Sequence, residues 1–144
     1  MIEQDTIRLL RECDAGVKMG VTSIDDVLKY VHSDTLKNSL VSNRAEHEKL
    51  RAEIEQQLER FRDEGKAPNP IAEKMSWVKT NVMLTMHESD HTIASLMTDG
   101  CNMGVKSLNR YLNEYKAADE VSKDITKRLI KQEEKLTAEV RAFL

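Results

Sequence analysis

The sequence predicts an all-α fold, an up-down four-helix bundle with an extra amphipathic helix between the second and third helices. Three observations carry this expectation. Apolar residues recur in steps of three and four along most of the chain, the spacing that gathers them on one side of an α-helix. Only five Gly and two Pro punctuate 144 residues, so the elements are few and long. No stretch alternates apolar and polar residues with the two-residue period of a half-buried strand. Helices joined by short connections pack antiparallel, which makes up-down the default arrangement.

The first helix is expected from about Asp5 to Val31, with Leu10, Cys13, Val17, Ile24, Leu28 and Val31 on one face. Gly16 and Gly20 lie beside that face. Glycine weakens a helix interior, so close helix–helix approach is the expected reason for it there. Ser33-Asp34 reads as an N-cap for a second helix from about Thr35 to Glu64. Its inward stripe is Leu36, Leu40, Asn43, His47, Leu50, Ile54, Leu58 and Phe61, close to the repeat of a bundle seam. Gly65 then stops the helix, and Pro68-Asn69-Pro70 shapes the turn.

From Ile71 to Met86 the chain is apolar almost all round, through Met75, Trp77, Val78, Val82, Met83, Leu84 and Met86. Such a segment wants cover on more than one side, and a homodimer contact through it is expected. The following stretch carries Ile93, Met97, Cys101, Gly104, Leu108, Tyr111 and Leu112 inward. One unbroken helix from Ile71 to Tyr115 would span roughly 65 Å, so a break is expected near His87 to Asp90 or near Gly100. The last helix is expected from Ser122 or Lys123, with Ile125, Leu129, Leu136, Val140 and Phe143 inward.

Bulk composition bounds the function classes. A hydrophobic fraction of 40% with 33% charged residues suits a folded helical protein, read as one domain over residues 1–144. Aromatic residues are only 4%, so Leu, Ile, Val, Met and Ala must build the core. The 22 basic and 25 acidic residues are interspersed and sum to −3, which argues against nucleic acid as a partner. No run of about 18 apolar residues offers a membrane span. The acidic N-terminus lacks the apolar core of a secretory signal, and a cytoplasmic location is expected. Cys13 and Cys101 follow no metal-ligand spacing and read as buried, reduced thiols.

The sharpest motif is His87-Glu88-Ser89-Asp90-His91, the H-E-x-x-H of zinc hydrolases. There, two histidines one helical turn apart meet one metal, with the Glu as general base. Glu114 would be the downstream third ligand. On a continuous helical wheel, however, His87 and His91 fall roughly 80° to 120° from the apolar stripe and Glu88 points nearly opposite it. The pair is therefore expected to face water and to bind metal only adventitiously. Asp90, by contrast, falls within the stripe.

Inward polar residues carry more information, because burying them is costly unless they are paired. His47 and Asn43 lie in the second helix's seam, Asp90 in the third's, and Glu133 at the edge of the last helix's stripe. A His and carboxylates converging from different helices is the general plan of a di-metal carboxylate bundle. The bland alternative is a buried polar layer of His47 and Asn43 that sets helix register.

On these residues, with Leu9-Leu10-Arg11-Glu12-Cys13-Asp14-Ala15-Gly16 and Asp99-Gly100-Cys101-Asn102-Met103-Gly104, the chain resembles the ferritin-like, rubrerythrin-like four-helix superfamily, in its small bacterial branches. The resemblance implies a Glu-x-x-His on the second helix, where this chain has Arg44-Ala45-Glu46-His47. It implies another on the last helix, where Gln132-Glu133-Glu134-Lys135-Leu136 carries no His. The first helix has no carboxylate in its stripe, since Glu12 and Asp14 flank it. What the resemblance leaves is a single iron or manganese site of His47 with Asp90 or Glu133.

The expectation is thus a non-enzymatic bundle with structural or protein-interaction duty, no resident cofactor, and a protein partner that the sequence does not identify. A reduced ferritin-like metal site is the alternative, and a zinc hydrolase through His87 and His91 the third reading.

Overall fold

A computed structural model describes residues 2–70, 73, 79–81, 83, 84 and 86–144. Every regular element among them is helical. Four long helices dominate: α1 (Ile2–Leu28), α2 (Asp34–Arg60), α3 (Asp90–Glu114) and α4 (Glu120–Val140), followed by a single 3-10 turn, Arg141–Phe143. Each start after the first is specified locally. The side chains of Ser33, Ser89 and Asp119 accept from the backbone N–H of Leu36, Thr92 and Ser122. These side-chain oxygens satisfy donors that the helix itself leaves orphaned. Asp119 caps α4 three residues before the expected Ser122, and α1 ends at Leu28, three before Val31. The second helix stops at Arg60 rather than Glu64, because Arg62 turns to φ 55 before Gly65 reaches φ 84.

Side-chain pairs give the helix directions. Gly20 of α1 lies against His47 of α2, while Arg11 reaches Asp63 just beyond α2. Positions thus run oppositely along the two. Asn43 of α2 meets Gln132 of α4, and Glu53 meets Arg128, so α2 and α4 are antiparallel. Cys13 meets Thr126, and Gly20 also approaches Glu133, so α1 and α4 are parallel. The start of α3 sits beside the α1–α2 connection, where Asp90 binds the N–H groups of His32 and Ser33. The order is therefore up, down, down, up. Strict up-down alternation, expected from short connections, fails at one place. The chain from residue 61 to 89 is long enough to recross the bundle, so α3 runs in the direction of α2.

The break in the apolar stretch falls at His87 to Ser89, and α3 continues through Gly100. The His87 N–H still donates to the Met83 carbonyl at 2.8 Å, which closes the preceding turn. Ser89 then adopts extended backbone and caps α3. Most of the Ile71–Met86 segment, including Met75, Trp77, Val78 and Val82, lies outside the described residues. Within it, Leu84 is buried, Met83 packs on the core and Met86 is exposed.

The core divides into two apolar clusters. One, toward the start of α1, gathers Leu9, Leu10, Cys13, Val17, Leu50, Ile54, Leu58, Leu108, Ile125 and Leu129. The other, toward the start of α2, gathers Ile24, Val27, Leu36, Leu40, Ile93, Met97, Cys101, Leu136 and Val140. Between them on α2 stand Asn43 and His47, and on α4 Gln132 and Glu133. Leu28, Val31, Phe61, Tyr111, Leu112 and Phe143, expected inward, lie at the rims of these clusters and are only partly buried.

Candidate functional site: a buried histidine–glutamate layer

Periodicity on α2 puts His47 seven residues after Leu40 and three before Leu50, so it cannot avoid the core. It is 1% exposed. Its Nδ1 lies 3.0 Å from the carbonyl oxygen of Asn43, one turn earlier. Its Nε2 lies 2.9 Å from Oε1 of Glu133 on α4. A carbonyl oxygen can only accept, so Nδ1 carries a proton. With Glu133 ionised, its carboxylate likewise accepts, so Nε2 donates and the ring carries both protons. Burial disfavours that imidazolium. The hydrogen bond and charge of Glu133, aided by the Asn43 carbonyl, outweigh it and hold the His47 pKa above its ordinary value.

Neighbouring helices close on this pair. A Cβ on Gly20 would stand 2.8 Å from both Cδ2 and Nε2 of His47, so α1 presses bare backbone onto the ring edge. On the α3 side, a Cβ at Gly104 would be 3.5 Å from the Glu133 carboxyl group. Asn43 joins the same layer: its Nδ2 donates to the Gln132 carbonyl at 2.9 Å, while its buried Oδ1 has no partner. Both thiols are poorly suited to chemistry. Burial pushes Cys13 up to about 12, and burial with the adjacent Glu133 charge pushes Cys101 higher still. Neither is a thiolate near neutrality.

Of the metal ligands expected from the sequence, His47 and Glu133 meet, and Asp90 does not join them. Asp90 stands at the first position of α3, where Oδ1 accepts from His32 N–H at 2.8 Å and Oδ2 from Ser33 N–H at 2.9 Å. The wheel that placed it inward assumed a helix running through residues 87–90, and that helix is interrupted. The same interruption splits H-E-x-x-H. His87 ends one helical segment and His91 lies in the first turn of the next, so the one-turn relation between them does not hold. His87, Glu88 and His91 are all exposed. Glu114 terminates α3, about 35 Å along the axis from His91.

Sequence reasoning missed Asp14. Expected to flank the stripe, it is 1% exposed, because the chain after α2 folds over it. The Lys66 N–H donates to Oδ2 at 2.9 Å and Lys18 Nζ at 2.7 Å, while Oδ1 is buried without a partner. The available signal was Gly65. Its positive φ and its contact with the Asp14 carboxylate both require a residue without Cβ.

The di-metal centre implied by the ferritin-like resemblance does not fit these residues. Arg44 stands where its second-helix Glu is expected, and points to an ion pair with Asp25 on α1. Asp14 is engaged with Lys18 and Lys66 instead. Among the described residues no group of three or more His, Cys, Asp and Glu side chains is arranged to hold a metal ion, and His47 has both ring nitrogens engaged.

Among the described residues no helix is long and apolar enough to cross a membrane. The chain matches no protein-family model, no curated protein and no solved structure.

Proposed function

We propose that this is a non-enzymatic, cytoplasmic helical-bundle protein with structural or protein-interaction duty, built on the ferritin-like plan. One observation carries the non-enzymatic reading. The most deeply buried polar group between the two apolar clusters, His47, is consumed by internal partners on both nitrogens. An active site needs groups left over to touch a substrate, and this layer has its imidazole and carboxylate bonded to each other.

Support for the ferritin-like plan comes from chain direction, since one long crossover between the second and third main helices distinguishes it from simple up-down bundles. His47 and Glu133 also face each other from the two helices on which the resemblance expects ligands. The homodimer remains our reading of the Ile71–Met86 segment, whose Met86 is 68% exposed.

Metal analysis of chelator-free protein, combined with light scattering at micromolar concentration, tests the proposal. We expect no stoichiometric metal, and a mass twice the 16.5 kDa chain. One equivalent of tightly bound iron or manganese would establish the metal-protein alternative. A monomeric mass would remove the dimer role.

A further inference from the structure

The misfit between the layer and a metal centre has a positive counterpart. We infer that the central layer is a metal-excluding clamp, in which the doubly protonated His47 ring itself supplies the cation that holds Glu133 and so locks α2, α4 and α1 at one height. Such a clamp is no part of the ferritin-like plan; the contacts alone assign it. His47 Nε2 and Glu133 Oε1 stand 2.9 Å apart, the spacing of a charge-assisted N–H···O bond. Tetrahedral zinc would hold two such ligands about 3.4 Å apart, from bond lengths near 2.1 Å. Nδ1 faces a backbone carbonyl of its own helix, so rotating the ring to free Nε2 breaks both bonds at once. A Cβ on Gly20 would already stand 2.8 Å from Nε2, so α1 backbone runs close along that side of the ring.

The clamp also explains the glycine. A helix interior disfavours Gly relative to Ala, and Gly20 is needed only if the ring must sit under it. Gly16, one turn away, would have nothing within 4 Å of an added Cβ and so serves as the internal control. Apolar side chains lie on either side of the layer, Leu50 and Leu129 in one cluster and Leu40 and Leu136 in the other. A shift of α2 against α4 by one turn would set Leu50 or Asn43, according to its direction, against Glu133 and strand the imidazolium. Register specification by a buried polar pair works in this way.

A double-mutant cycle tests the clamp. Gly20→Ala should lower the folding equilibrium constant at least tenfold in the wild-type background, and less than twofold in His47→Ala, where the ring is gone. Gly16→Ala should cost nothing in either. Equal penalties for Gly20→Ala in the two backgrounds would overturn the assignment. Should His47→Ala fail to fold, two measurements on the wild-type protein decide. Imidazole ¹⁵N shifts at neutral pH should show both nitrogens of His47 protonated. One equivalent of Mn(II) should leave the His47 signals sharp. A neutral single tautomer, or selective broadening of His47 by Mn(II), would sink the clamp.

Discussion

Single residues differ here in what their surroundings tolerate, and the glycines show it best. Gly16 sits in mid-helix with nothing near the place a Cβ would occupy. Gly16→Ala should therefore stabilise the fold by about 0.5–1 kcal/mol, read from a urea midpoint shift. Gly65 has φ 84, and a Cβ there would collide with the Asp14 carboxylate. Gly65→Ala should cost more than about 2 kcal/mol by the same assay; a neutral result would mean that the turn over Asp14 can rearrange. His47 brings a pH dependence whose sign follows from its raised pKa. A group with a folded pKa above its unfolded value stabilises fully below the unfolded value, about 6.5 for His. That contribution is lost as pH rises through the folded value. Melting temperature should therefore fall as pH rises above about 6.5 and through the folded value, and this component should vanish in His47→Gln. The exposed His32, His87 and His91 provide the comparison, since their Gln variants should keep it.

At the scale of elements, the interesting devices are the ties between connections and helix starts. Asp90 binds two backbone N–H groups of the α1–α2 connection, so it holds one end of the crossover to the first helical hairpin. Asp90→Ala should cost about 1–2 kcal/mol by leaving those donors unpaired, and hydrogen exchange at His32 and Ser33 should accelerate before that of the helix interiors. Unchanged protection at those two amides would show that they are held by other means. The opposite end is organised by α1. Asp5 accepts from Ala117 N–H and Thr6 from Asp119 N–H, while Arg11, Glu12 and Asp14 hold Asp63 and Lys66. One end of α1 thus fastens both the departure of the crossover and the α3–α4 connection. The outer pairs contribute less. Arg128 grips Glu53 with both terminal guanidinium nitrogens, yet both side chains are over 40% exposed, which limits such a pair to about 1 kcal/mol.

Across the whole molecule, the single crossover has an architectural consequence. Helices α1 and α4 run one way and α2 and α3 the other, and the two apolar clusters are each shared by residues from all four helices. The polar layer divides them at mid-height. Weakening that layer should affect both halves together, so variants at His47 or Glu133 should lower stability without introducing a second transition in calorimetry. Two resolved transitions in His47→Gln would indicate that each cluster unfolds alone.

Much of this was legible in the chain. The stripe from Leu36 through Leu58 on α2 is buried as the three-and-four spacing requires, because helical period and burial are set by the same residues. Ser33 declared the start of α2 through its own side chain, a contact three residues long. His47 and Glu133 could be named as inward, since each falls within or beside an apolar stripe. Their meeting at 2.9 Å was another matter: it depends on the relative height of two helices whose paired residues are 86 positions apart, and no local pattern encodes that. Asp90 shows the converse error, where a wheel drawn through an interrupted helix gave the wrong face. The direction of α3 was equally beyond local reading, because a connection's length permits a crossover without requiring one. Sequence alone determined which surfaces must be hidden, by periodicity and hydrophobic burial. Only tertiary structure decided which buried polar groups would find one another, because charge pairing in a core depends on distances that the packing of four helices sets.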